Sequence, residues 1–276
     1  MIFNLLFFTS IFFIKSVLFN EFYSNHLMFL YLPLEIASIS LADTNIAGSI
    51  IRWLTIGWIN DINEKNISLI IDNNNDIKPN NVMIMCWFIA YIFYLIYYFI
   101  RERKTINKWN FYLYNLKFSM INYLSLYLWN LNTIINIKNT IFWVSLINIF
   151  IFNLITFWYP GIICNFMYGQ NLYLYREKYY FLMMNFHLKY KYYNLILILF
   201  KILIGINVFF INFVKQGSNY DLLILSLVYI LITNKTKIFK NNKFKKYINI
   251  INIFNLQIII LSIIYKYKKH ISILVI

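Results

Sequence analysis

Polar positions in this chain are gathered into short links between long apolar runs, and the runs approach the thickness of a bilayer. Crossing roughly 30 Å of hydrocarbon takes about 20 apolar residues in a helix. Eight segments come near that length: Ile2 to Phe19, Leu27 to Ile59, Val82 to Ile100, Phe111 to Ile137, Thr140 to Cys164, Tyr193 to Phe213, Leu222 to Thr233 and Ile248 to Tyr265. The third is free of charge throughout. The second holds Glu35, Asp43 and Arg52, so it reads either as one tilted span with a polar end or as two short pieces. Asn122, Asn130 and Asn132 interrupt the fourth, and the seventh is short unless Tyr220 and Asp221 extend it. The fifth ends near Pro160 and Gly161, a breaker pair. The pattern predicts an all-α fold, a polytopic transmembrane helix bundle of about 7–8 spans. Residues 1–276 read as a single transmembrane domain, with residues 60–81 as a polar extramembrane loop.

Charge placement orients that bundle. Of the 25 Lys and Arg residues, 15 fall in three links, Arg101 to Lys117, Arg176 to Lys191 and Lys235 to Lys246. Threading the spans in order puts all three links on one face, the asymmetry that orients multispan proteins. The link at residues 60–81 is the acidic one, with Asp61, Glu64, Asp72 and Asp76 against Lys65 and Lys78, and it falls on the opposite face. Lys266, Lys268 and Lys269 also fall opposite, which implies a misplaced span or a tail lying flat. A net charge of +15 in a soluble protein would suggest nucleic acid. Here the cations sit beside spans, where anionic headgroups are the nearer partner, so lipid is the expected partner and nucleic acid is not.

Composition narrows the class further. Hydrophobic residues make up 61% and charged residues 13% of the chain, against roughly 25% charged in a typical soluble domain. Cys86 and Cys164 lie in or at the end of apolar runs and read as small buried hydrophobes, with no disulfide framework or zinc spacing. The apolar start at Ile2 lacks the basic n-region of a signal peptide and the Arg- and Ser-rich pattern of a transit peptide. Ile, Asn, Lys, Tyr and Phe dominate, which are the residues of A+T-rich codons, while Gly, Ala, Pro and Arg are scarce. A very hydrophobic chain with that bias and no presequence is the expectation for an organelle-encoded membrane protein.

Charges inside apolar runs are the first place to look for chemistry. Each costs about 2.5–3.5 kcal/mol at the centre of a span unless paired or snorkelling. Glu35, in MFLYLPLEIASISL just after Pro33, reads as a proton-relay carboxylate or as one half of a buried charge pair. Asp43, Arg52 and Lys201 complete the candidate set, since Lys15, Arg52 and Lys201 are the cations able to neutralise Glu35 or Asp43. Lys15 and Lys201 are expected to snorkel to a surface on their long stems. His26, His187 and His270 all lie at run ends or in links, which argues against haem ligation. No clustered Cys, His or Met suggests copper, and the six glycines form no phosphate loop. Trp and Tyr at the run ends read as an aromatic belt.

In its overall style the chain resembles the fast-evolving reading frames of ciliate mitochondrial genomes, many of which encode divergent respiratory-chain membrane subunits. Locally, Trp58, Asp61 and Glu64 in WINDINE precede the run from Val82. This order is similar to that of cytochrome c oxidase subunit three, where a Trp-rich end of the second span, then an Asp and a Glu, precede the third. The chain departs from that family in having no acid between Val82 and Ile100 and no Trp- and His-rich final span. The resemblance implies a non-redox, multi-pass subunit of a mitochondrial respiratory-chain complex that supports proton translocation coupled to electron transport. Cytochrome c oxidase is the first expectation and the membrane arm of complex I the second. The same reading implies residence in the mitochondrial inner membrane with basic loops on the matrix side. It also implies partner subunits of the complex, structural lipids such as cardiolipin, and no cofactor bound by this chain. The competing class is an ion channel or transporter, for which discontinuous helices near Pro33 or Pro160 would form the site.

Overall fold

The computed structural model describes residues 2–21, 25–42, 46–57, 79–101, 108–135, 187–190, 192–214, 219–235, 238–239 and 241–274, with scattered positions between 147 and 162. Asp43, the WINDINE segment, most of the polar loop, Cys164, and most of the fifth predicted span and of the second basic link lie outside the described residues. Nine α-helices are described: α1 (Ile2–Glu21), α2 (Asn25–Ala42), α3 (Ile46–Ile56), α4 (Pro79–Arg101), α5 (Lys108–Ile121), α6 (Tyr123–Ile135), α7 (Tyr193–Val214), α8 (Asn219–Lys235) and α9 (Asn242–Leu274). No strand occurs among the described residues, so the all-α expectation holds for them. The segments Asn81–Arg101 of α4 and Lys245–Tyr267 of α9 are long and apolar enough to cross a membrane. Shorter apolar stretches occupy Leu5–Leu18, Tyr31–Leu41, Tyr193–Val208 and Tyr220–Asn234.

Helix ends follow local chemistry. α3 stops at Gly57, whose φ of 73° only glycine adopts without strain, and the Gly57 N–H donates to the Trp53 carbonyl at 2.7 Å. The run Leu27 to Ile59 holds two helices, α2 and α3, packed side by side, with Tyr31 of α2 reaching Thr55 of α3. α9 begins behind Asn241, whose Oδ1 accepts the Lys243 N–H at 2.9 Å as an N-cap. α8 includes Tyr220 and Asp221, and α9 carries Lys266, Lys268 and Lys269 as a continuation of the helix rather than as a separate flat tail. At roughly 1.5 Å per residue, the 33 residues of α9 extend well beyond a hydrocarbon core of roughly 30 Å.

One expectation about helix breaks is corrected. α2 runs unbroken through Pro33, which is buried among its neighbours. Among the described residues a discontinuity lies at Asn122, between α5 and α6, within the run that Asn122 is expected to interrupt. There the Asn122 side-chain amide and backbone N–H both donate to the Phe118 carbonyl, each at 3.1 Å. Such back-bonding competes with the regular ladder. Asn130 makes the same bond to Leu126 without ending its helix. The extra element at Asn122 is a side chain from α7 that reaches the adjacent carbonyls, a recognised cause of helix kinks.

α1 packs along α4, α2 against α3 and α9, α6 against α7, and α8 against α9. The main core joins α2, α5, α6, α7, α8 and α9 around residues such as Ile36, Leu124, Ile204, Tyr229 and Ile259. A second cluster joins α1, α3 and α4 around Phe12, Trp53 and Cys86. Cys86 is fully buried, as its apolar setting predicts, with its Sγ 3.7 Å from the Leu5 carbonyl. The polar residues of several helices face inward and the large apolar ones outward. On α9 the buried stripe is Ile248, Asn252, Asn255, Ile259 and Ser262, while Ile250, Phe254, Leu261 and Ile264 are exposed. On α8, Ser226 and Thr233 are buried and Ile224 and Leu231 exposed. A water-soluble helix has the opposite arrangement.

Candidate functional site

The site is built from the buried charges. α2 places Glu35 in the interior at 1% exposure, and α7 brings Lys201 to it, also at 1%. Lys201 Nζ donates to Glu35 Oε1 at 3.1 Å. The same ammonium donates to the carbonyls of Met120 at 3.3 Å and Ile121 at 3.5 Å. These are the last two residues of α5, where a helix carries its partial negative charge. The Lys201 amine therefore faces one carboxylate and one helix terminus, partners that offset the cost of burying a polar group. The expectation that Lys201 snorkels to a surface is thereby corrected. Glu35 Oε2 has no hydrogen-bond partner among the described residues and remains free to accept a proton.

A second lysine lies beside this pair. Lys15, from α1, directs its Nζ to the Thr55 carbonyl at 3.4 Å, near the C-terminal end of α3. It also lies 4.4 Å from the centre of the Tyr31 ring. Lys201 Nζ is 5.3 Å from that same ring. Tyr31 thus presents its π-system to both ammonium groups, an arrangement that stabilises desolvated cations. The Tyr31 hydroxyl donates to the Thr55 carbonyl at 2.7 Å, which holds the ring in place. The Ile56 carbonyl accepts from the Ser125 hydroxyl, so α6 seals the end of α3. Lys15 is half-buried rather than extended to a surface, so its snorkelling expectation is corrected as well. Lys245 repeats the theme outside the core by donating to the Asn234 carbonyl at 3.0 Å, near the end of α8.

Of the four candidates, the structure brings Glu35 and Lys201 together. Arg52 is buried on α3 at 1% exposure, and Glu35 pairs with Lys201 through Oε1. Asp43 lies outside the described residues. Sequence reasoning missed Tyr31, although its place one turn before Glu35 on α2 is a usable signal. It also missed the Met120 and Ile121 carbonyls, for which the only signal is Asn122 in an apolar run. Among the described residues no group of three or more His, Cys, Asp or Glu side chains comes together to hold a metal ion.

The arrangement can hold a fixed positive charge, exchange a proton at Glu35, or bind a cation at a broken helix. Comparison of the chain with models of known families, with curated proteins and with solved structures finds no match.

Proposed function

We propose that this chain is an integral membrane subunit of a mitochondrial respiratory-chain complex that carries no redox centre itself and supports proton translocation coupled to electron transport. Cytochrome c oxidase is the first assignment and the membrane arm of complex I the second. In this reading the chain crosses the inner membrane about 7–8 times, with its basic links on the matrix face. Those links contact lipids such as cardiolipin, and the apolar flanks contact lipid and partner subunits. The observation that carries the reading is the Glu35–Lys201 pair, buried inside a bundle whose exterior is apolar. An intramembrane ion pair is retained at a cost and marks a charge or proton pathway in membrane proteins. Support for lipid as the surrounding medium comes from α8 and α9, whose Ser, Thr and Asn side chains face inward.

In this reading Glu35 is the proton carrier. Oε1 stays with Lys201, and Oε2 takes and releases the proton. When the carboxyl is neutral, Lys201 retains the α5 carbonyls as partners. The test is Glu35→Gln in the assembled complex, with the proton-to-electron ratio measured in vesicles. A lowered ratio with electron transfer retained is expected, and an unchanged ratio overturns the assignment. On a native gel the chain should co-migrate with haem absorbance or with NADH dehydrogenase activity, which separates the two complexes.

The second reading, an ion channel or transporter of the inner membrane, is favoured by one observation. The break at Asn122 presents backbone carbonyls to the interior, as discontinuous helices of transporters do. A transporter should purify as a stable species without other respiratory subunits.

A further inference from the structure

The joint between α5 and α6 has the composition of a cation site. Three oxygens converge on one point: Glu35 Oε1 at 3.1 Å, the Met120 carbonyl at 3.3 Å and the Ile121 carbonyl at 3.5 Å. The Tyr31 ring centre lies 5.3 Å from the same point, within the range at which an aromatic face attracts a cation. Lys201 Nζ occupies that point. One carboxylate and two carbonyls balance a single positive charge. The spacing also discriminates by size. Calcium takes oxygens at about 2.3–2.6 Å and magnesium at about 2.0–2.1 Å, whereas distances of 3.1–3.5 Å suit an N–H donor or a large monovalent ion. The helix end contributes its partial negative charge toward the same place.

We propose that the Glu35 carboxylate and the Met120 and Ile121 carbonyls form a monovalent-cation site, sized for an ammonium-type ion, which the chain fills with its own Lys201. The tethered ammonium binds intramolecularly, without the loss of translational freedom that a dissolved ion pays, and its stem closes the approach from α7. The wild-type protein is therefore indifferent to dissolved monovalent cations, and removing the ammonium turns the site into one that depends on a free ligand. This inference concerns the joint alone and holds whichever complex the chain serves.

The test uses the full-length chain in detergent with Lys201→Met, which keeps most of the aliphatic stem and vacates the position of Nζ. Thermal unfolding midpoints are compared in ammonium, methylammonium, potassium and sodium chlorides, against choline chloride at equal ionic strength. Ammonium and methylammonium are expected to raise the midpoint of Lys201→Met saturably, by at least about 2–4 °C. Potassium should act less and sodium least. The wild type, and the double variant Glu35→Gln with Lys201→Met, should respond no more than they do to choline. A Lys201→Met chain that ignores ammonium, a wild type that responds equally, or a response to sodium exceeding that to ammonium overturns the proposal. If Lys201→Met accumulates poorly, the yield of folded chain in the same salts becomes the readout, and a yield independent of ammonium overturns it equally.

Discussion

Gly205 sets the distance between α6 and α7, and replacing it by alanine gives a prediction whose sign can be worked out. A Cβ at this position would lie 2.7 Å from Tyr127 Cδ1, 3.2 Å from Tyr127 Cε1 and 3.3 Å from Leu124 Cδ1. Carbon atoms in good contact sit at about 3.5–4.0 Å, so the Tyr127 ring must retreat by roughly 1 Å. It has little freedom to do so, because it is buried and stacked on Tyr123 with centroids 5.8 Å apart. The helices must separate instead, and overpacking of this kind costs about 1–3 kcal/mol. Against it stands the better helix propensity of alanine, about 1 kcal/mol. Gly205→Ala should therefore lose about 0–2 kcal/mol, a drop of about 2–4 °C in unfolding midpoint for each kcal/mol in a chain of this size. In a Tyr127→Ala background the main clash is gone and the propensity gain remains, so there the same change should stabilise by about 1 kcal/mol. The assay is thermal unfolding of the four chains in detergent. Equal losses in both backgrounds, or a gain in the wild type, would refute the reasoning. Lys201 lies one turn before Gly205 on α7. Forcing the helices apart should also draw its ammonium from the Met120 and Ile121 carbonyls.

Two further changes test the surroundings of the charge cluster. Gly57→Ala forces a left-handed conformation on a residue with a Cβ, which costs about 1–2 kcal/mol, and its Cβ would lie 3.3 Å from Ser125 Oγ. A lowered midpoint is expected, and an unchanged one argues against the left-handed cap. Tyr31→Phe removes the hydroxyl bond to Thr55 and should cost about 0.5–1.5 kcal/mol. Tyr31→Leu also removes the face shared by Lys15 and Lys201 and should cost about 1–2 kcal/mol more. A leucine variant no worse than the phenylalanine one, by the same unfolding measurement, would show that the ring does not hold the ammonium groups.

Much of the helical architecture was legible from the runs themselves. The uncharged run from Val82 became α4, the run from Tyr193 became α7, and the polar content of the second run anticipated its division into α2 and α3. These are local properties, set by a chain's own apolar length and by breakers such as Gly57. Glu35 stood out as a candidate for the same reason, as an acid in an apolar run. Pro33 misled because the absence of one N–H is a local cost that tight packing of α2 tolerates. Lys15 and Lys201 misled because a lysine in an apolar segment has the same local pattern whether it turns outward or pairs inward.

The sequence by itself determined that this chain makes apolar helices, where several of them end, and that Glu35 needs a partner. Only the tertiary structure decided which cation that partner is, because Lys201 lies 166 residues away and the pairing depends on which helix faces meet. It alone decided that Met120 and Ile121 take part, since their contribution is backbone carbonyls that every residue carries. A carbonyl becomes a ligand only when a helix stops at the right place beside the right neighbour.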